Sequence, residues 1–329
     1  MKFQPLPLLL SLSAISTGVV ADEGGGGESD VPHNIHLLAL HKSLCDIPSL
    51  TTSEASLGDW LATYLESHSF TVEKHLINAS SPHRNNIFAY LGHTRSTSTL
   101  LTSHFDTVAP YIPYTRHPNG TITGRGTNDA KGSIAAQITA VQELLAAGAI
   151  REGDVALLYV VGEESDGAGM VAANGLGLTW NAVVFGEPTE NKLSLGHKGG
   201  LIFTLEADGK AAHSGYPQLG IDANRHLVEA LYTLGGLALP GSELLGETTL
   251  NYGLIAGGVA PNVVSAFASA SVAVRLAIES ARVRSVIDEA MQMRPVRLLY
   301  SERGFEPQIL DHDVEGESPG LRPLAFEYG

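Results

Sequence analysis

The 329-residue sequence predicts an α/β fold with a doubly wound, mainly parallel sheet and a smaller inserted α+β domain. Three observations carry this expectation. Short, almost wholly apolar runs at 155–161 and 182–185 have the composition of strands buried on both faces. Runs of this kind alternate with segments of helical periodicity, as in a parallel sheet built from crossover units. From Gly199 onward the texture changes to a β-α-β-β-α-β rhythm, which marks a separate small domain.

Taken in order, residues 1–21 read as a signal peptide. Lys2 gives a short positive region, 6–20 is apolar or small, and Val19-Val20-Ala21 supplies small residues for cleavage. Pro5, Pro7 and Gly18 interrupt the apolar stretch, which is too short to span a bilayer. The Gly-rich segment that follows makes 22–34 a flexible leader. Residues 35–70 have helical spacing, through Leu57, Leu61, Tyr64 and Leu65. Strands are expected at 86–92 and 100–108. Ile134, Ile138, Val141 and Leu145 share one helical face, and Gly148 closes that helix. In the inserted domain, 201–207 alternates like a half-exposed strand, 227–237 and 280–293 read as helices, and 266–276 and 296–300 as strands. The expected division is a first domain over 35–198, an insertion over 199–300, and a return to the first domain over 301–329.

Composition narrows the partners. A formal net charge of −15 opposes binding to nucleic acid or to an anionic membrane, both of which need clustered Lys and Arg. With one cysteine, Cys45, no internal disulfide forms, and a buried structural thiol is the expected state. The sequons at Asn78 and Asn119 are compatible with glycosylation of an exported, extracellular protein.

Four clusters sit where predicted strands end, the edge at which open α/β sheets bind ligands. In Ser103-His104-Phe105-Asp106, the His and Asp are two apart and point to one side of a strand. An imidazole there can hold a metal while a carboxylate orients it. Asp129, in the Gly-rich segment Gly124–Gly132, is either a helix N-cap or a carboxylate bridging two cations. Glu163 and Glu164 are adjacent at a strand end, where like charges demand a cation or a proton. One can bind metal while the other acts as a base. Gly186-Glu187-Pro188 brings a further carboxylate to the next strand end.

The order and wording of these clusters resemble a family of co-catalytic zinc hydrolases. It includes bacterial glutamate carboxypeptidase, aminoacylase, acetylornithine deacetylase and succinyl-diaminopimelate desuccinylase. The likeness runs from Asn85-Asn86-Ile87 to about Arg275. It implies two zinc ions per subunit, with His104 and Glu187 on the first, Asp129 bridging, and Glu164 on the second. It also implies Glu163 as general base and Asp106 as support for His104. In the inserted lid, the resemblance makes His213, in Ala212-His213-Ser214-Gly215, the group that stabilises an oxyanion in a partner's site, within a homodimer formed through the lid. Asn262 and Arg275 resemble residues that hold a substrate carboxylate, a task suited to an Arg fork.

The family's last ligand is a histidine beyond the point at which this sequence stops, and His312 lies too early to replace it. A C-terminal part of the catalytic domain is therefore expected to be missing and the second zinc site incomplete. The implied activity is that of a secreted zinc exopeptidase, a carboxypeptidase acting on peptides or N-acyl amino acids. The alternatives are an N-acyl-amino-acid deacylase and a non-catalytic metal- or peptide-binding relic. A dinucleotide site at Gly167-Ala168-Gly169 is disfavoured, because Glu163, Glu164 and Asp166 would repel a pyrophosphate. A nucleophile elbow at 316–320 fails because Pro319 has no N–H to donate.

Overall fold

A computed structural model describes residues 31–310. The expected signal peptide, most of the expected leader and the tail that contains His312 lie outside the described residues.

The first unit runs through Leu193. It opens with helices α1 (Val31–Asp46) and α2 (Ala55–Ser67), so α1 begins inside the segment expected to be leader. The single helical stretch read over 35–70 is two helices. Pro48 cannot continue α1, and Leu50 in the break bridges to Thr107 instead. Strands β1 (Phe70–Leu76), β2 (Asn85–Leu91) and β3 (Thr99–His104) follow, then α3 (Lys131–Ala146), β4 (Val155–Val160), α4 (Ala168–Ala173) and β5 (Ala182–Phe185). The strand expected over 100–108 ends at His104, where the chain turns away.

The sheet order is β1-β2-β4-β3-β5. Pairing is antiparallel at β1–β2 and β2–β4 and parallel at β4–β3 and β3–β5. Strand β4 is buried throughout because both faces are covered. Leu157 and Tyr159 pack with Leu44, Leu61, Ile134 and Ile138 on the helical side. Ala156 and Leu158 pack with Leu100, Met170 and Trp180 on the other. β5 departs from the expected burial: its residues are half-buried or exposed, because it is the edge strand of the sheet among the described residues.

The second unit begins at Ser194. Strands β6 (Gly199–Asp208), β7 (Thr249–Gly257), β8 (Phe267–Leu276) and β9 (Arg297–Phe305) form an antiparallel sheet in the order β7-β8-β6-β9. Helices α5 (Ala223–Gly235) and α6 (Ser280–Met291) complete the β-α-β-β-α-β sequence. Alternation along β6 and β8 turns Leu201, Phe203, Leu205, Val272 and Val274 onto Leu227, Leu234, Val283 and Ile287. The boundary expected at 300 falls within β9, whose Gly304 and Phe305 pair with Leu201 and Gly200. Gln308 pairs with His197, so the described residues just after 300 belong to the second unit and not to a return into the first. No helix among the described residues is long and apolar enough to cross a membrane.

Candidate active site

The parallel strands deliver the acidic clusters to one edge. His104 pairs with Val160 and Thr102 with Phe185, so β3, β4 and β5 end nearly level. His104 is the last residue of β3, Glu163 and Glu164 follow β4 by a short turn, and Glu187 lies just past β5.

His104 is buried, and its Nδ1 donates to the main-chain oxygen of Asp106 at 3.0 Å. That bond directs Nε2 at the acidic groups. Nε2 stands 2.9 Å from Asp129 Oδ1, 3.7 Å from Glu163 Oε2 and 3.7 Å from Glu187 Oε1. Asp129 is not the N-cap of α3. Ala130 holds that position, and the Asp129 carboxylate turns to His104. One ligand atom each from His104, Asp129 and Glu164 lie within 4.8 Å of one another.

Asp106 is fully buried, and its carboxylate sits 3.6 Å from His104 Nδ1. The shorter contacts of this carboxylate run elsewhere. It accepts from Glu163 N–H at 3.0 Å, Glu164 N–H at 3.2 Å and the Thr51 hydroxyl at 2.8 Å. Asp106 thus organises the glutamate turn as well as lying beside the histidine.

The Asp129 segment is held from behind. Lys131 is buried, and its Nζ donates to the carbonyls of Leu44 and Ile47 at 3.0 Å each, fastening the start of α3 to the end of α1. Burial pushes that ammonium down to about 8. Glu187 is seated by close packing at Gly186. A Cβ there would lie 2.7 Å from Gln137 Nε2 and 2.8 Å from Ser133 Cβ, while Ser103 Oγ donates to the Gly186 carbonyl at 2.7 Å.

The charges are unbalanced. Burial raises Glu187 to about 7, and Glu163, Asp129 and Glu164 add to the shift against the opposing His104. Glu163 and Glu164 are raised for the same first reason, burial. Burial disfavours the His104 cation, but Asp106, Asp129, Glu187 and Glu163 outweigh it and hold the imidazole up to about 11. One imidazole facing this many carboxylates leaves an excess of negative charge that a divalent cation would neutralise. The donors are imidazole nitrogen and carboxylate oxygen, which suit zinc and its first-row neighbours.

In the second unit, Ser214 N–H donates to the Asn262 carbonyl at 2.9 Å and His213 pairs with Val263, which brings His213 and Asn262 into one loop cluster. Both are exposed. His213 Nδ1 accepts from Gly215 N–H at 3.0 Å, so the ring's proton is on Nε2. Arg275 lies on β8 opposite Thr249 and Gly200 with an exposed side chain. Cys45 is buried, and burial pushes its thiol up to about 11, the state of an inert core residue. Asn78 and Asn119 are exposed. Thr51, which donates to Asp106, and the Glu54–Arg84 ion pair carry no signal in the sequence. They are ordinary polar residues in loops and at a helix cap, and only the fold gathers them.

Residues 195–293 match the peptidase dimerisation domain of the M20 family. The chain is 44% identical over 302 residues to an M20 peptidase domain-containing protein of Schizosaccharomyces pombe, covering 92% of this chain and 74% of that protein. It is 42% identical over 333 residues to a protein of Uncinocarpus reesii named "Probable carboxypeptidase", covering 89% and 74% respectively. Among solved structures, a Staphylococcus aureus tripeptidase shares the fold with a TM-score of 0.66 at 20% identity, over 85% of this chain and 78% of that one. An M20 metallo-carboxypeptidase of Sulfolobus solfataricus gives 0.62 at 18% identity, over 84% and 80%. With a metal-ligand cluster at the carboxyl edge of its sheet and relatives at this identity over most of its length, the chain belongs to the M20 peptidase family.

Proposed function

We propose that the protein is a secreted, zinc-dependent carboxypeptidase. The observation that carries this reading is the convergence of His104, Asp129 and Glu164 within 4.8 Å, with Glu163 directly beside them. The names of the fungal relatives favour a carboxypeptidase over a deacylase of N-acyl amino acids.

His104, Asp129 and Glu187 would hold a first zinc ion, and Asp129 and Glu164 a second. Bound there, the metal supplies Lewis-acid polarisation of the scissile carbonyl and acidifies water. Glu163 takes the proton from the attacking water and passes it to the leaving amine; its raised pKa suits both halves of that transfer. Asp106 fixes the base by binding its backbone N–H. Arg275 would bind the substrate's terminal carboxylate, and Asn262, at the opposite end of β8 beside His213, would reach it only across the homodimer. The His213 Nε2–H donates to the oxygen on which negative charge develops, across a homodimer.

Two exposed features support that dimer. Among the described residues, strand β7 is an edge strand carrying Leu254 at 73% exposure and Ile255 at 62%, and α5 presents Tyr232 at 85%. An apolar edge of this kind invites pairing with a second copy. Export through residues 1–21 and glycans on Asn78 and Asn119 complete the reading.

The test is hydrolysis of dipeptides and of N-acetyl amino acids by the parent and by Glu163→Gln. A carboxypeptidase cleaves the peptides in preference, and the variant keeps its metal while losing about 10²–10⁴-fold in turnover. Cleavage confined to N-acetyl amino acids makes the protein a deacylase. Normal turnover by Glu163→Gln removes the base from this account.

A further inference from the structure

A buried charge pair lies beneath the glutamate turn, and the proposed chemistry does not use it. Glu54 is 1% exposed and stands at the N-cap of α2, yet its side chain makes no capping bond. It accepts instead from Arg84, from Nε at 3.1 Å and from Nη2 at 2.8 Å, and from the N–H of Thr52 at 2.9 Å. A two-pronged guanidinium–carboxylate contact fixes the plane of the Arg as well as its charge.

The guanidinium also faces Gly162, the residue immediately before Glu163. A Cβ on Gly162 would come within 2.8 Å of Arg84 Nη2, and Gly162 has φ +76°, where side chains are disfavoured. The chain therefore turns tightly over Arg84. Above this point, the Gly162 carbonyl accepts from Gly167 N–H at 2.8 Å, and Asp106 takes the N–H groups of Glu163 and Glu164. The turn is bonded on one side by the Asp106 carboxylate and lies close against the Arg84 guanidinium on the other. Asp166 Oδ1 would lie 3.2 Å from the same Gly162 Cβ, yet Arg84 makes its two bonds to Glu54.

We propose that Arg84, locked by Glu54, is a positioning residue that fixes the Gly162 turn and so sets the direction of Glu163 and Glu164 toward His104 and Asp129. This rests on the reading of Glu164 as a metal ligand. It differs from a purely structural ion pair in one respect: loosening Arg84 displaces the ligands of the site before it unfolds the domain.

The experiment is a cobalt(II) titration of the full chain, read by visible absorption, with thermal unfolding measured in parallel. The variants are Arg84→Lys, which keeps the charge without the fork; the double variant Glu54→Gln with Arg84→Met, which removes both charges; Gly162→Ala; and Glu164→Gln. All three perturbations of the turn are expected to unfold cooperatively, to bind cobalt about 10–100-fold more weakly and to change its absorption band. If Arg84→Lys does not fold, the double variant and Gly162→Ala carry the same expectation. Parent-like cobalt affinity and spectrum in these variants, with affinity lost in Glu164→Gln, overturn the positioning role while leaving the site intact. Parent-like binding by Glu164→Gln overturns the ligand reading itself, and the inference with it.

Discussion

Replacing Asp106 with Asn alters one atom and tests how the site is assembled. The Asp106 carboxylate is fully buried and accepts three hydrogen bonds. Oδ1 takes the N–H of Glu163, and Oδ2 takes the N–H of Glu164 and the Thr51 hydroxyl. An amide retains one acceptor oxygen, so at least one backbone N–H of the turn must then face an NH₂ group. A hydrogen bond to a charged partner contributes about 1.5–3 kcal/mol, and a neutral one about 1 kcal/mol. Weakening two such bonds and stranding a third donor gives a gross loss of about 3–5 kcal/mol. Relief of a desolvated charge beside Glu163 and Glu164 returns part of this, leaving a net destabilisation of about 2–3 kcal/mol. For a unit of this size, that lowers the unfolding midpoint by roughly 5–10 °C. Because the same bonds hold the ligand Glu164, metal affinity falls about 10–100-fold. Burial opposes ionisation of Asp106, but the His104 imidazole 3.6 Å away and the bonds from Thr51 and the turn hold its pKa below the ordinary carboxylate value. Its contribution is therefore present above that ordinary value and is lost as pH falls through the depressed one. Differential scanning calorimetry of the metal-free protein and a zinc competition assay read the two effects separately. An Asp106→Asn protein with parent-like midpoint and zinc affinity would refute the claim that this carboxylate builds the turn.

Metal uptake should release protons in a pH-dependent way. The metal-free His104 holds its proton up to about 11, and Glu187 up to about 7, so binding displaces about one proton above neutrality and about two below it. Zinc affinity consequently declines more steeply with acidification below about pH 7 than above it; calorimetry in buffers of different ionisation enthalpy measures the count. At the exposed edge of β7, Leu254→Asp is expected to shift the protein from dimer to monomer in sedimentation velocity without changing its unfolding midpoint by more than a few degrees, because Leu254 is 73% exposed.

The sequence made the strand-end carboxylates legible for a physical reason. Buried parallel strands are continuous apolar runs, so Glu163 and Glu187 stand out as charges directly after 155–161 and 182–185. The alternation in β6 and β8 was equally visible, because one face of that sheet is covered by α5 and α6. Strand β7 carries no such pattern. It is an edge strand with Gly253 and Gly257 in its run, a register shift between Tyr252 and Leu254, and no buried face to impose alternation. The break between α1 and α2 is masked in the same way, since the spacing of Leu57 and Leu61 continues the pattern begun before Pro48. That break matters, because it carries Thr51 to Asp106 and Glu54 to Arg84. Contacts of this type join residues 30 to 55 positions apart and leave no local pattern.

Everything proposed for this protein depends on divalent metal at this sheet edge. The most direct test is metal per chain by native mass spectrometry at saturating zinc, repeated for Asp129→Ala. Two ions are expected to bind, the one shared by Asp129 and Glu164 being stripped first by a chelator because the described residues give it fewer ligands. Asp129→Ala is expected to empty both positions. A parent chain that binds none, or a stoichiometry unchanged by Asp129→Ala, would rule out a metal site at this edge.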